Sequence, residues 1–132
     1  PRRDDMKNNI LGWFEIPVAD MDRAVHFYQT VLGITLERRS MNEMDMAWFP
    51  VTEESPGAPG SLISQNDFYI PSRHGVLIYL SSPSGDLKVE LDRVEQAGGK
   101  VLQQKELITE EIGYMGLFLD PEGNRIALHS HK

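Results

Sequence analysis

The sequence predicts an α+β fold made of two β-α-β-β-β modules in tandem. Three observations lead there. Asp20 and Asp86 open two similar segments, Gly33 and Gly99 close them, and each pair stands 66 residues apart (86 − 20; 99 − 33), half of the 132-residue chain. A half-length repeat implies two similar units building one structure. In each copy an apolar run of period two leads into a segment of period 3.6, and strand-like runs follow. The chain is long enough to bury a core and has no cysteine, so neither disulfides nor thiolate-bound metal hold it together.

The first module occupies about residues 9–65. Phe14, Ile16 and Val18 alternate with Trp13, Glu15 and Pro17, which makes a strand. Asp20 is a helix N-cap, and Ala24, Phe27, Tyr28 and Val31 form one apolar helix face. Gly33 ends that helix in the left-handed region. Strands are expected over Ile34 to Arg38, Met44 to Val51 and Ser61 to Ser64, with a loop from Thr52 to Gly60.

The second module, about residues 75–131, repeats the order. Val76 to Leu80 is a strand, and Ser81 to Gly85 a turn. Asp86 caps a helix whose stripe is Leu87, Leu91 and Val94, and Gly98-Gly99 stops it. Strands follow at Lys100 to Gln103, Tyr114 to Leu119 and Asn124 to His129. Asp120-Pro121-Glu122-Gly123-Asn124 is a tight turn, because proline fixes φ and glycine supplies a positive φ. Phe68 to Arg73 links the modules, and residues 1–7 are read as a frayed tail.

The formal net charge is −7, which disfavours nucleic acid as a partner. No apolar run approaches the roughly 20 residues of a membrane span. We expect no membrane association, no signal peptide and a cytoplasmic location.

Val18-Ala19-Asp20, Ala24, Phe27-Tyr28, Leu32-Gly33, Gly98-Gly99 and Asp120-Pro121-Glu122-Gly123-Asn124, in that order and spacing, resemble the vicinal-oxygen-chelate superfamily. That superfamily contains glyoxalase I, extradiol dioxygenases and bleomycin-resistance proteins. The stretch Glu122 to Ser130 is similar to a glyoxalase-like branch without an assigned activity. The resemblance implies that each module curls into half of an open barrel around a central cavity, and that two chains pair as a homodimer. It also implies a divalent metal held by His and Glu from the first and last strand of each module. The residues at those places are Trp13, Ser61, Tyr79 (Leu77 or Val76 if the gap falls elsewhere) and Ala127. Divalent cations need carboxylates or imidazoles, so the usual metal set is missing and no cofactor is expected.

Alternation turns Trp13, Glu15 and Pro17 towards the cavity, together with Arg125, Ala127 and His129. Glu15 among apolar neighbours is an unusual place for a charge. It reads either as a structural carboxylate bonded to backbone or Arg125, or as a general base or ligand contact. His129 is the second catalytic candidate, against an ordinary hydrogen-bonded histidine. Trp13, Trp48, Tyr79 and Arg125 are the ligand-binding candidates, the rings suiting a flat apolar or aromatic ligand.

The expected function is therefore a small-molecule-binding protein or a lyase/isomerase of unknown substrate without the usual metal ligands. The alternatives are a metal-dependent lyase like glyoxalase I (a lactoylglutathione lyase) or a dioxygenase, with one divalent ion held by Glu15 and His129, and an antibiotic-sequestering protein.

Overall fold

The computed structural model describes residues 9–52, 54, 56–65 and 67–132. The expected tail at residues 1–7 lies outside them, as do Glu53, Ser55 and Asn66. In the first module, strand β1 (Phe14–Pro17) leads into helix α1 (Met21–Leu32), followed by β2 (Glu37–Met41), β3 (Met44–Trp48) and β4 (Gly60–Ser64). In the second, β5 (Ile78–Ser81) leads into α2 (Leu87–Leu91), followed by β6 (Lys100–Thr109), β7 (Gly113–Leu119) and β8 (Arg125–Ser130). Among the described residues the strands form two four-stranded sheets, ordered β1-β4-β3-β2 and β5-β8-β7-β6. In each, the first strand runs parallel to the last and the other pairs are antiparallel. The tandem β-α-β-β-β expectation holds. The sheets are open and share no strand pairing.

The caps form as the side-chain chemistry dictates. Asp20 accepts from the Arg23 backbone N–H at 3.1 Å, and Gly33 sits at φ 67 with its N–H on the Gln29 carbonyl. Asp86 accepts from the Lys88 N–H at 3.0 Å. The helix it opens is shorter than its apolar stripe suggested. After Leu91 the chain continues in tight turns, with Arg93 and Val94 bonding back three residues, yet Val94 is still fully buried.

Several strand boundaries differ from expectation, β3 stopping at Trp48 rather than Val51 and β5 starting at Ile78 rather than Val76. β2 starts at Glu37, because Ile34 and Leu36 turn into the core rather than onto a sheet. It meets β3 through Asn42 and Glu43, both at positive φ (49° and 67°), the geometry of a two-residue hairpin loop. β6 runs six residues beyond Gln103, and irregular pairing with β7 absorbs its mixed polar sequence.

One core serves both modules. Phe27 and Tyr28 of α1 meet Phe118 of β7 at ring-centroid distances of 5.6 and 6.4 Å. Gly99 allows this approach, since a Cβ there would lie 2.5 Å from the Leu119 carbonyl and 2.7 Å from the Phe27 ring. The turn at residues 120–124 fastens the seam. The Tyr28 hydroxyl donates to Asp120 at 2.6 Å, and the Asn124 amide donates to the Pro17 carbonyl at 2.7 Å. The Glu122 carboxylate accepts from the backbone of Ala19 and Asp20 and pairs with Arg23 at 2.6 Å. Among the described residues no helix is long and apolar enough to cross a membrane.

Candidate functional site

Strand register settles which side chains share a face. In the first sheet Ile16, Leu62 and Ala47 stand side by side and enter the core. The next row, Glu15, Ser61 and Trp48, therefore points away from the helices. In the second sheet Leu80 and Leu128 enter the core, and the neighbouring row of Tyr79 and Ala127 points the other way.

This register corrects one expectation. Leu62 and Leu128 are 66 apart, but Ile16 and Leu80 are 64 apart, so the structural mate of Tyr79 is Glu15 and that of Trp13 is Leu77. The reason is local: three residues join β1 to α1 and five join β5 to α2. The paired first-and-last-strand positions are then Glu15 with Ser61, and Tyr79 with Ala127. One carboxylate in that set does not fit a divalent cation. Among the described residues no three His, Asp or Glu come together as a metal site.

Glu15 is half-buried and held by an aromatic donor. Trp13 Nε1 donates to Glu15 Oε2 at 3.3 Å. The Tyr69 phenol lies near Glu15, and interaction with the carboxylate raises the phenol's pKa. Trp13 packs edge-on against Trp48, with centroids 5.0 Å apart, and the Arg39 guanidinium sits 4.0 Å above the Trp48 ring. Among the described residues two polar atoms of this face are buried without a hydrogen-bond partner: Trp48 Nε1 and the hydroxyl of Ser61, a residue with no exposure.

A cleft of about 230 Å³ opens beside Glu15 at the seam between the modules. Pro17, Ile70, Ser72, Val76 and Arg125 share its lining. Glu15 and Arg125 thus face one space, but no ion pair within 4.0 Å joins them. The expected structural partner of Glu15 is therefore replaced by Trp13.

The other candidates lie apart. Tyr79 is half-exposed and does not line the cleft. His129 is also outside it. Its Nε2 is 2.6 Å from the Ile112 carbonyl, and its ring meets His131 edge-on at 4.9 Å. Sequence reasoning missed Tyr69 and Ile70, which lie in the stretch read as a linker. Their signal was an aromatic-apolar run, Phe68-Tyr69-Ile70, where a solvated linker would be polar.

The family described as bleomycin resistance protein-like N-terminal matches residues 11–51, which cover β1 through β3. A glyoxalase/bleomycin resistance protein from Albidiferax ferrireducens superposes with a TM-score of 0.70 at 15% identity, over 94% of this chain and 100% of that one. The chain thus shares the fold of glyoxalase/bleomycin-resistance structures, and its first module resembles the bleomycin-resistance-type family model. Glyoxalase I from Zea mays superposes with a TM-score of 0.65 at 19% identity, over 92% of this chain; this chain spans only 46% of the maize one. A Vibrio parahaemolyticus protein named probable lactoylglutathione lyase is 25% identical over 133 residues, covering 96% of this chain and 94% of that protein.

Proposed function

We propose that this glyoxalase/bleomycin-resistance-type protein binds a small organic molecule in the cleft between its modules, with Glu15 as the principal polar contact. The observation that carries this reading is a half-buried carboxylate, bonded by Trp13 and beside the Tyr69 phenol, at the edge of a cleft to which both modules contribute. Trp13 fixes the carboxylate's orientation, and Arg125 supplies the opposite charge across the space. Such an arrangement serves a binding protein, or a lyase/isomerase in which Glu15 moves a proton of the ligand. His129 is a less direct candidate, because a backbone carbonyl already engages its ring. Tyr79 and the exposed apolar residues Phe68, Ile70 and Val76 suit the interface of a homodimer burying at least about 1,200 Å². Sedimentation at micromolar concentration reads that state.

Glu15→Gln keeps the shape and removes the charge. We expect ligand affinity or turnover to change at least about tenfold, equivalent to about 1.4 kcal/mol, with the melting temperature within a few degrees of wild type. A variant that unfolds, with unchanged ligand affinity in its folded fraction, would make Glu15 structural.

The name of the Vibrio relative, probable lactoylglutathione lyase, favours a second reading, a lyase, which the resemblance to glyoxalase I would make metal-dependent. Elemental analysis separates the two: about one Ni, Zn, Fe or Mn per chain supports the lyase and counts against the first.

A further inference from the structure

We infer that the face of β1, β4 and β3 turned away from the helices carries a subsite for a neutral amide or lactam group, formed by Glu15, Ser61 and Trp48. The inference rests on the reading of Glu15 as a ligand contact and names the ligand chemistry that reading leaves open.

The argument begins with the row itself. Glu15 is beside Ser61 and Ser61 beside Trp48 in the strand register. Adjacent strands lie roughly 4.8 Å apart, so the three side chains span about 10 Å on one face. Buried polar groups are nearly always partnered. Here two neighbours, the Ser61 hydroxyl and Trp48 Nε1, are buried and, among the described residues, are not. An indole N–H can only donate, and a serine hydroxyl can donate. The Glu15 carboxylate can only accept, and the Trp13 donor on one of its roughly four acceptor positions leaves capacity. Across the sheet the row therefore offers one acceptor followed by two donors.

An amide or lactam presents the matching order, an N–H beside a carbonyl oxygen with two lone pairs. A carboxylate would engage both donors but meet the Glu15 charge, in a chain of net charge −7. An ammonium would pair with Glu15 and leave both donors unpartnered. A divalent cation would face two N–H or O–H donors. A flat amide also suits the edge-on pair of Trp13 and Trp48. Trp13 is the side chain placed to yield to it: it precedes β1, its one bond is 3.3 Å long, and a Cβ added at the preceding Gly12 would meet nothing within 4 Å.

The chain's two tryptophans both stand at this subsite, so their fluorescence reads occupancy directly. The probes are benzamide, benzoate and benzylammonium, titrated to about 50 mM, the affinity range of fragments this small. We expect a saturable response to benzamide at least about fivefold tighter than to the other two, the scale of one hydrogen bond. Ser61→Ala should weaken benzamide about fivefold or more without lowering the melting temperature, since it removes an unpartnered hydroxyl. Trp48→Phe should do the same with Trp13 as reporter. Benzoate or benzylammonium binding as tightly as benzamide overturns the amide assignment, as does benzamide affinity unchanged in both variants; the cleft reading then stands on whichever probe Glu15→Gln weakens. No response to any probe overturns the subsite. The cleft reading falls with it only if a wider fragment screen finds nothing that distinguishes wild type from Glu15→Gln.

Discussion

Asp120 takes four hydrogen bonds, three of them from its own turn. The Tyr28 hydroxyl arrives at 2.6 Å, the Asn124 amide at 3.0 Å, and the backbone N–H groups of Glu122 and Asn124 at 2.9 Å each. Burial pushes its pKa up and those bonds pull it down, and burial prevails. The folded state therefore holds the Asp120 proton more tightly than the unfolded chain does. Its contribution to stability is full below the unfolded carboxylate range and declines as pH rises through the folded pKa, opposite to a salt-bridged aspartate. Asp120→Asn removes the titration and turns an acceptor into a donor facing the Asn124 amide, at about 1–3 kcal/mol. Urea midpoints for wild type and variant across pH 3 to 7 check this. Their difference should be largest at the acid end and shrink as pH rises; a difference that grows with pH would mean the bonds outweigh burial.

At the scale of elements, the β2–β3 hairpin holds the clearest local conflict. Asn42 tolerates a positive φ, but Glu43 does so at a cost of roughly 1–2 kcal/mol. Glu43→Gly would relieve it and complete an Asn-Gly pair, the preferred composition for such a loop. Glycine gives back roughly 0.5–1 kcal/mol in unfolded-chain entropy. The expected net is a stabilisation of about 0.5–1 kcal/mol, read as a raised thermal midpoint. The same hairpin shows where sequence reading stops. Period two identified β1 and correctly turned Glu15 away from the core, because alternation is a local steric property. Asn42 was a turn signal between the expected strands, but Glu43 was not, since glutamate is not a turn residue and tertiary pairing overrides its preference. Tyr69 was invisible as a neighbour of Glu15, because a contact made by a returning loop has no periodicity to read.

For the whole molecule, the repeat disclosed the architecture but misaligned one pair of positions. Helix starts matched at 66 residues because N-caps are chemical signals, whereas α2 stops at Leu91, well short of Gly99. Trp13 and Tyr79 failed to match because the turn ahead of α2 is two residues longer, and turn length leaves no trace in the strand patterns. Fastening between modules was legible only as a turn motif. Glu122 proves to bind the start of α1, some hundred residues away in sequence. Glu122→Ala should cost about 2–3 kcal/mol, the scale of a charge-assisted bond set, and Glu122→Gln less, because the amide oxygen still accepts from Ala19 and Asp20. Both should keep one cooperative unfolding transition, since the modules share a core. Calorimetry showing two transitions in Glu122→Ala would mean that the turn alone couples them.

That shared core also sets a schedule for the chain during its synthesis. The aromatic face of α1 leaves the ribosome well before Phe118, which covers it, has been added. At ordinary elongation speeds the interval is roughly 5–20 s. Throughout it Phe27 and Tyr28 lack their final partner, so the nascent first half exposes an aromatic face of the kind that holdase chaperones bind, and its commitment to the native state waits for β7.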